Sequence, residues 1–183
     1  MSRITALSTA NAPSASQPML QAVQKKLGMV PNLFKTFAHS PAVLNYYLAG
    51  SEALAAAALP AALREQLALV TAGANECDYC ASAHTLMGKG AGLAAGEMAK
   101  NLRGQSDNGK AKAALDFAAV IVQERGRVSD AQLQAVRAAG YSDAEVVEIV
   151  AVVAANIFTN YFNHIAGTDI DFPIVRSAES ATA

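Results

Sequence analysis

Residues 64–84 read REQLALVTAGANECDYCASAH. The segment from Ala61 to Ala74 is nearly all apolar after Gln66, which predicts a buried helix, and Pro60 separates it from the helix before. A second helix starting near Cys77 would set Cys77, Cys80 and His84 at i, i+3 and i+7, on one face within two turns. Glu65 stands out on the first helix. Its neighbours at i−3, i+4 and i+7 are Ala62, Leu69 and Ala72, so its carboxylate faces an apolar strip. A buried, unpaired carboxylate is costly and would rather hold a proton. It therefore calls for a partner, and His84 is the natural one if the two helices fold back on each other.

The same periodicity extends in both directions. Met19–Leu27 is a short helical pattern stopped at Gly28, and Pro31 and Pro41 can each open a helix, where a missing N–H costs nothing. A helix is expected from about Pro41 to Ala58. Cys77–Met87 is expected to end at Gly88 and Gly90, and residues 101–109 read as a surface loop. Ala111–Arg125 is helical, with Gly126 as its stop. Ser129 with Gln132, and Ser142 with Glu145, match capping boxes and place helix starts near 130 and 143. No strand alternation persists anywhere, so the fold class is all-α. Residues 1–18, rich in Ser, Ala, Thr and Pro, read as a flexible N-terminal arm. Residues 19–166 read as one helical domain with halves at 20–100 and 110–165. Residues 167–183 read as an extended tail suited to a neighbour's surface.

Composition narrows the classes. The chain has 183 residues, 41 of them alanine, with 52% apolar and 16% charged residues, against roughly 45–50% and 25% in an ordinary globular domain. Alanine at this level favours helices and their close approach. A surface so poor in charge favours association with copies of itself. The net charge of −1 comes without any basic run, which argues against nucleic-acid binding. Residues 1–18 lack the apolar core of a secretory signal. The apolar runs Leu67–Ala74 and Ile149–Ala155 fall short of the ~18 residues of a membrane span, so no membrane association is expected.

The two cysteines form a single C-x-x-C. In a reducing cytoplasm that pattern serves redox catalysis or metal ligation. Unpaired N–H groups at a helix start and a nearby charged histidine both favour a thiolate. A Glu65–His84–Cys80 chain would then relay the thiol proton, directly or through a water. Tyr79 could offer a hydroxyl at the pocket rim. Asn160 and His164 are further pocket candidates, and Asn156 and Asn160, one turn apart, need partners for their amides. GKGAG at 88–92 lacks the pattern of a phosphate loop and reads as a turn. A zinc site would need a fourth ligand besides Cys77, Cys80 and His84. No cofactor is implied.

The pattern E-x11-C-x2-C-x3-H, here Glu65, Cys77, Cys80 and His84, resembles that of the AhpD-like alkylhydroperoxidases within the carboxymuconolactone decarboxylase family. The helical neighbourhood from about 40 to 100 fits as well. Residues 146–173 look, more loosely, like members described as peroxidase-related. The resemblance implies a compact AhpD-like helical bundle that forms homo-oligomers (dimers, trimers or hexamers) with active sites near subunit contacts. It also implies reduction of an organic hydroperoxide or hydrogen peroxide at the expense of an external dithiol or thiol. By the same resemblance Cys80 is the attacking thiol, Cys77 the resolving thiol, and Glu65 and His84 the proton relay. AhpD itself has a second histidine just before the nucleophile, where this chain has Tyr79. Two alternatives stay open: a thiol–disulfide oxidoreductase that recycles another peroxidase, and a zinc- or protein-binding helical module.

Overall fold

Nine α-helices and no strand occur among residues 2–178, the span described by this computed structural model. The all-α expectation holds. The chain forms two compact units, Met1–Ala56 with Phe162–Asp171, and Ala57–Tyr161 with Phe172–Ala183. This division replaces the expected halves at 20–100 and 110–165.

The first unit contains α1 (Gln17–Leu27), α2 (Asn32–Phe37), α3 (Pro41–Ala55) and the C-terminal end of α9 (Asp143–Ala166). Gly28 closes α1 at φ 75°, a conformation that a side chain resists. Phe37 anchors the core, with its ring 5.3 Å from that of Tyr47 and 4.6 Å from that of Phe162. The segment whose composition suggests a loose arm is hydrogen-bonded along this unit. Arg3 and Ile4 N–H both donate to Ala166 O, and the Ser16 hydroxyl donates to Ala38 O at 2.8 Å.

The second unit holds α4 (Ala61–Ala74), α5 (Asp78–Gly90), α6 (Ala95–Asn101), α7 (Gly109–Gln123), α8 (Asp130–Ala138) and most of α9. Helix α4 packs on α5, α6 and α7, and its buried Leu67, Leu69 and Ala72 share the core with Leu115, Ala118, Ile149 and Val153. That packing joins residues on both sides of the expected 100/110 boundary. Helix α3 stops at Ala55, short of the expected Ala58. The N–H groups of Ala58 and Leu59 go instead to the Glu148 carboxylate, at 3.0 and 2.9 Å. Helix α5 runs through Gly88 and ends at Gly90, so only the second of the two expected stops holds. A Cβ on Gly88 would lie 2.8 Å from Met98 Sδ, so this glycine permits close packing of α5 on α6 and does not break the helix. The boxes at Ser129/Gln132 and Ser142/Glu145 start α8 and α9 as expected.

Helix α9 continues well past Asn156 and, by length and composition alone, is apolar enough to cross a bilayer. Its buried side nonetheless carries Asn156, Thr159 and Asn160, and amides of this kind suit a helix packed against protein.

The α4–α5 connection is the part of the fold that builds the site. Cys77 N–H donates to Ala72 O at 2.9 Å, and Glu76 N–H donates to Gly73 O at 3.1 Å. This is a Schellman ending, with Glu76 in the left-handed position at φ 54°. Cys77 follows at once as the N-cap of α5, so one residue closes the first helix and opens the second. A non-glycine residue at Glu76 stores strain of about 1 kcal/mol. Glu76→Gly is therefore expected to stabilise the fold by up to about 1 kcal/mol, with a Tm rise of roughly 2–4 °C. Differential scanning calorimetry checks it, and an unchanged or lowered Tm would contradict the strain.

Candidate active site

Because Cys77 caps α5, Cys80 occupies the third position of the helix, where backbone N–H groups have no helical acceptor. Cys80 N–H points back at Cys77 Sγ, 3.4 Å away. Both cysteines are free thiols and buried, at 2% and 3% exposure. The side chains also bond to each other. The hydrogen bond to Cys80 is the largest influence on Cys77 and pushes its thiol pKa up, with burial and the negative charge of Cys80 acting in the same direction. Cys77 is thus held protonated beside Cys80.

His84 follows Cys80 by one turn of α5. Its Nδ1 lies 2.8 Å from Glu65 Oε2 on α4, with side-chain exposures of 15% and 20%. An ionised carboxylate only accepts, so the ring N–H is the donor. Glu65 is the fifth residue of α4, beyond the first-turn positions that the helix dipole serves best, so His84 is its stabilising partner. Burial pulls the His84 pKa down. The Glu65 charge and hydrogen bond, the Cys80 charge and a hydrogen bond with Asn156 together outweigh it and hold the ring above the usual 6.5. Attraction between an imidazolium and Cys80 also favours the thiolate.

The pair makes stability depend on pH in a definite sense. A histidine whose pKa rises on folding contributes fully below its unfolded value of 6.5, and that contribution drains away as pH climbs through the higher folded value. Glu65→Gln removes the largest influence raising that value. An NMR titration of the His84 ring is expected to shift to lower pH in this variant, and the stability gained on going from pH 8 to pH 6 should shrink. A His84 titration identical to wild type would contradict the coupling.

Helix α9 supplies the opposite wall. Cys80 Sγ lies 4.0 Å from Thr159 Oγ1, a neighbour that sequence reasoning missed. The Asn160 side chain accepts from Asn75 Nδ2 at 2.9 Å, which ties α9 to the α4–α5 turn. Among the described residues, no group of three His, Cys, Asp or Glu side chains is placed to hold a metal ion.

Residues 41–123 match the sequence model of the carboxymuconolactone decarboxylase family. The matched segment is just under half of the chain. It spans α3 to α7 and contains Glu65, Cys77, Cys80 and His84. No curated protein sequence matches the chain significantly. Among solved structures, the chain is similar to an alkylhydroperoxidase AhpD core, an uncharacterized peroxidase-related protein from Ralstonia eutropha JMP134. The identity is 29% and the TM-score 0.83, with 93% of this chain and 92% of that chain covered. A peroxidase-related protein from Silicibacter sp. TM1040 is 26% identical, with TM-score 0.80 and 91% of each chain covered. The debrominase Bmp8, at 22% identity and TM-score 0.78 with 92% and 91% covered, shares the fold.

Within the matched segment, Tyr79 is buried, and its ring meets Phe172 edge-on with centroids 5.5 Å apart. Phe172 belongs to a stretch expected to lie on a neighbouring molecule. Residues 172–177 instead strap the first turn of α5 in their own chain. Arg176 Nη1 donates to Asp78 Oδ2 at 2.6 Å, Ser177 N–H and Oγ both donate to Asp78 Oδ1 at 2.8 Å, and Val175 N–H donates to Ser82 Oγ at 2.9 Å. Burial alone would raise the Asp78 pKa, but these donors more than offset it and hold it below the usual carboxylate value. Residues 179–183 of the expected tail lie outside the described residues. His164 falls in the first unit and is exposed. The structure therefore gathers Glu65, Cys77, Cys80, His84 and Asn160 in the second unit, with Tyr79 packed beside them.

Proposed function

We propose that the chain reduces hydroperoxides with its C-x-x-C pair, using an external dithiol or thiol as electron source. The observation that carries this reading is the grouping of two mutually hydrogen-bonded thiols at a helix start with a Glu65-paired His84 one turn away. In the first step the Cys80 thiolate attacks the terminal oxygen of the peroxide and breaks the O–O bond. Cys80 becomes a sulfenic acid, and the leaving alkoxide or hydroxide takes a proton from the His84 imidazolium to depart as alcohol or water. Cys77 then attacks the Cys80 sulfur, closing the disulfide, and its proton leaves with the hydroxyl as water. The raised Cys77 pKa suits this order, since the hydrogen bond to Cys80 and the Cys80 charge, which together hold its proton, are both lost once Cys80 is oxidised. An external dithiol reduces the disulfide by exchange and is itself oxidised.

Organic hydroperoxides suit the apolar surroundings better than hydrogen peroxide, and a reducing cytoplasm supplies the thiols. The protein acts as a homo-oligomer in this reading, supported by the exposed Val147, Val150 and Tyr161 on α9. The test is peroxide consumption by the reduced protein with dithiothreitol and cumene hydroperoxide. Turnover supports the reading. Disulfide exchange without peroxide consumption would overturn it in favour of a carrier that recycles another peroxidase.

A further inference from the structure

One residue of α9, Thr159, lies against Cys80, and the steps above give it no role. Asn156 and Thr159 lie three residues apart and both are buried. Asn156 Nδ2 donates to its own helix at Val152 O, 2.9 Å away. Thr159 Oγ1 donates to Asn156 O at 3.0 Å and sits 4.0 Å from Cys80 Sγ.

We propose that Thr159 is a positioning residue that steadies the Cys80 thiolate. The proposal rests on Cys80 being the reactive sulfur. Thr159 works as a rotor. In the thiol state its oxygen faces Cys80 while its O–H donates to the Asn156 carbonyl. When the proton leaves Cys80, rotation about the Cβ–Oγ bond turns the same O–H onto the sulfur, exchanging a neutral acceptor for a charged and stronger one. The titratable groups that act on Cys80 are Cys77, the N-cap of α5, and His84 within it, while Asp78 acts on Cys77 and Glu65 on His84. Residues 152–160 of α9 contain none, so this helix acts through dipoles alone.

The test is site-resolved iodoacetamide alkylation of Cys80 against pH, read by peptide mass spectrometry, in wild type, Thr159→Val and Thr159→Ser. The isosteric valine is expected to raise the apparent pKa of Cys80 by about one unit and slow alkylation near neutral pH about tenfold. Serine, which keeps the hydroxyl, is expected to restore most of that rate. Coincident wild-type and valine profiles, or a serine variant as slow as valine, would overturn the role of Thr159. This readout involves no peroxide. A shifted valine profile in a protein that consumes no peroxide would therefore sink the proposed function and leave this inference standing.

Discussion

Cys80→Ser is expected to abolish peroxide consumption, on the order of a thousandfold or more, because an alcohol in place of the thiolate leaves no competent nucleophile. Cys77→Ser should behave differently. It keeps the attacking sulfur, so one equivalent of peroxide is still reduced, but the sulfenic acid on Cys80 has no partner and accumulates. Dimedone should label Cys80 in this variant and label little in wild type, where the disulfide closes first. The two substitutions separate because the two sulfurs sit in different electrostatic settings. Cys80 faces His84 and Thr159, whereas Cys77 is held protonated by its hydrogen bond to Cys80 and by burial. Normal multiple turnover by Cys77→Ser would remove it as the resolving thiol, and turnover by Cys80→Ser would reverse the two roles.

The largest effect on stability is expected at a residue with no chemistry. A Cβ on Gly73 would lie 1.9 Å from the carbonyl oxygen of Leu102 and 2.9 Å from its carbon. Both are backbone atoms, so no rotamer change relieves the clash, and α4 must separate from the chain following α6. Helix propensity alone would make glycine to alanine favourable by about 1 kcal/mol. Gly73→Ala is expected to destabilise instead, by about 3 kcal/mol or more, lowering Tm by roughly 6–12 °C. Gly50, inside α3 with nothing within 4 Å of its Cβ position, is the control, and Gly50→Ala should be neutral or stabilising. Gly73 O accepts from Glu76 N–H, and Ala72 O accepts from Cys77 N–H. The displacement therefore reaches the cap of α5, and Cys80 alkylation should slow in the same variant. A Gly73→Ala protein as stable as wild type would show that the close approach is not maintained.

What the sequence made legible follows from how local each signal is. The bounds of α4, and the starts of α8 and α9 at Asp130 and Asp143, rest on residues within one turn of each other: a proline and two capping boxes. The register of Cys77, Cys80 and His84 is likewise a property of a single helix. Pairing Glu65 with His84 reached one step further, because a carboxylate on an apolar strip needs a partner and only a few residues were near enough. Thr159 lies 79 positions from Cys80, in a helix whose local pattern is merely apolar, so no nearby residue signals the contact. The strap at 172–177 was hidden for the same reason. Asp78 reads as an ordinary first-turn acid, and nothing local shows that Arg176 and Ser177 come back to it. Gly88 reads as a helix stop and Gly73 as an ordinary residue of an apolar helix, although in both the missing side chain makes room for a neighbouring segment. Asn156 showed its need for a partner in the sequence, but which partner depends on how α9 lies against α5.

The central claim is that Cys80 and Cys77 act together on a peroxide. The most direct measurement adds one equivalent of cumene hydroperoxide to the fully reduced protein, then counts thiols and maps the oxidised peptides. The account predicts loss of two thiols for each peroxide consumed, with a Cys77–Cys80 disulfide as the sole product. Peroxide left unconsumed, with both thiols still free, would contradict it.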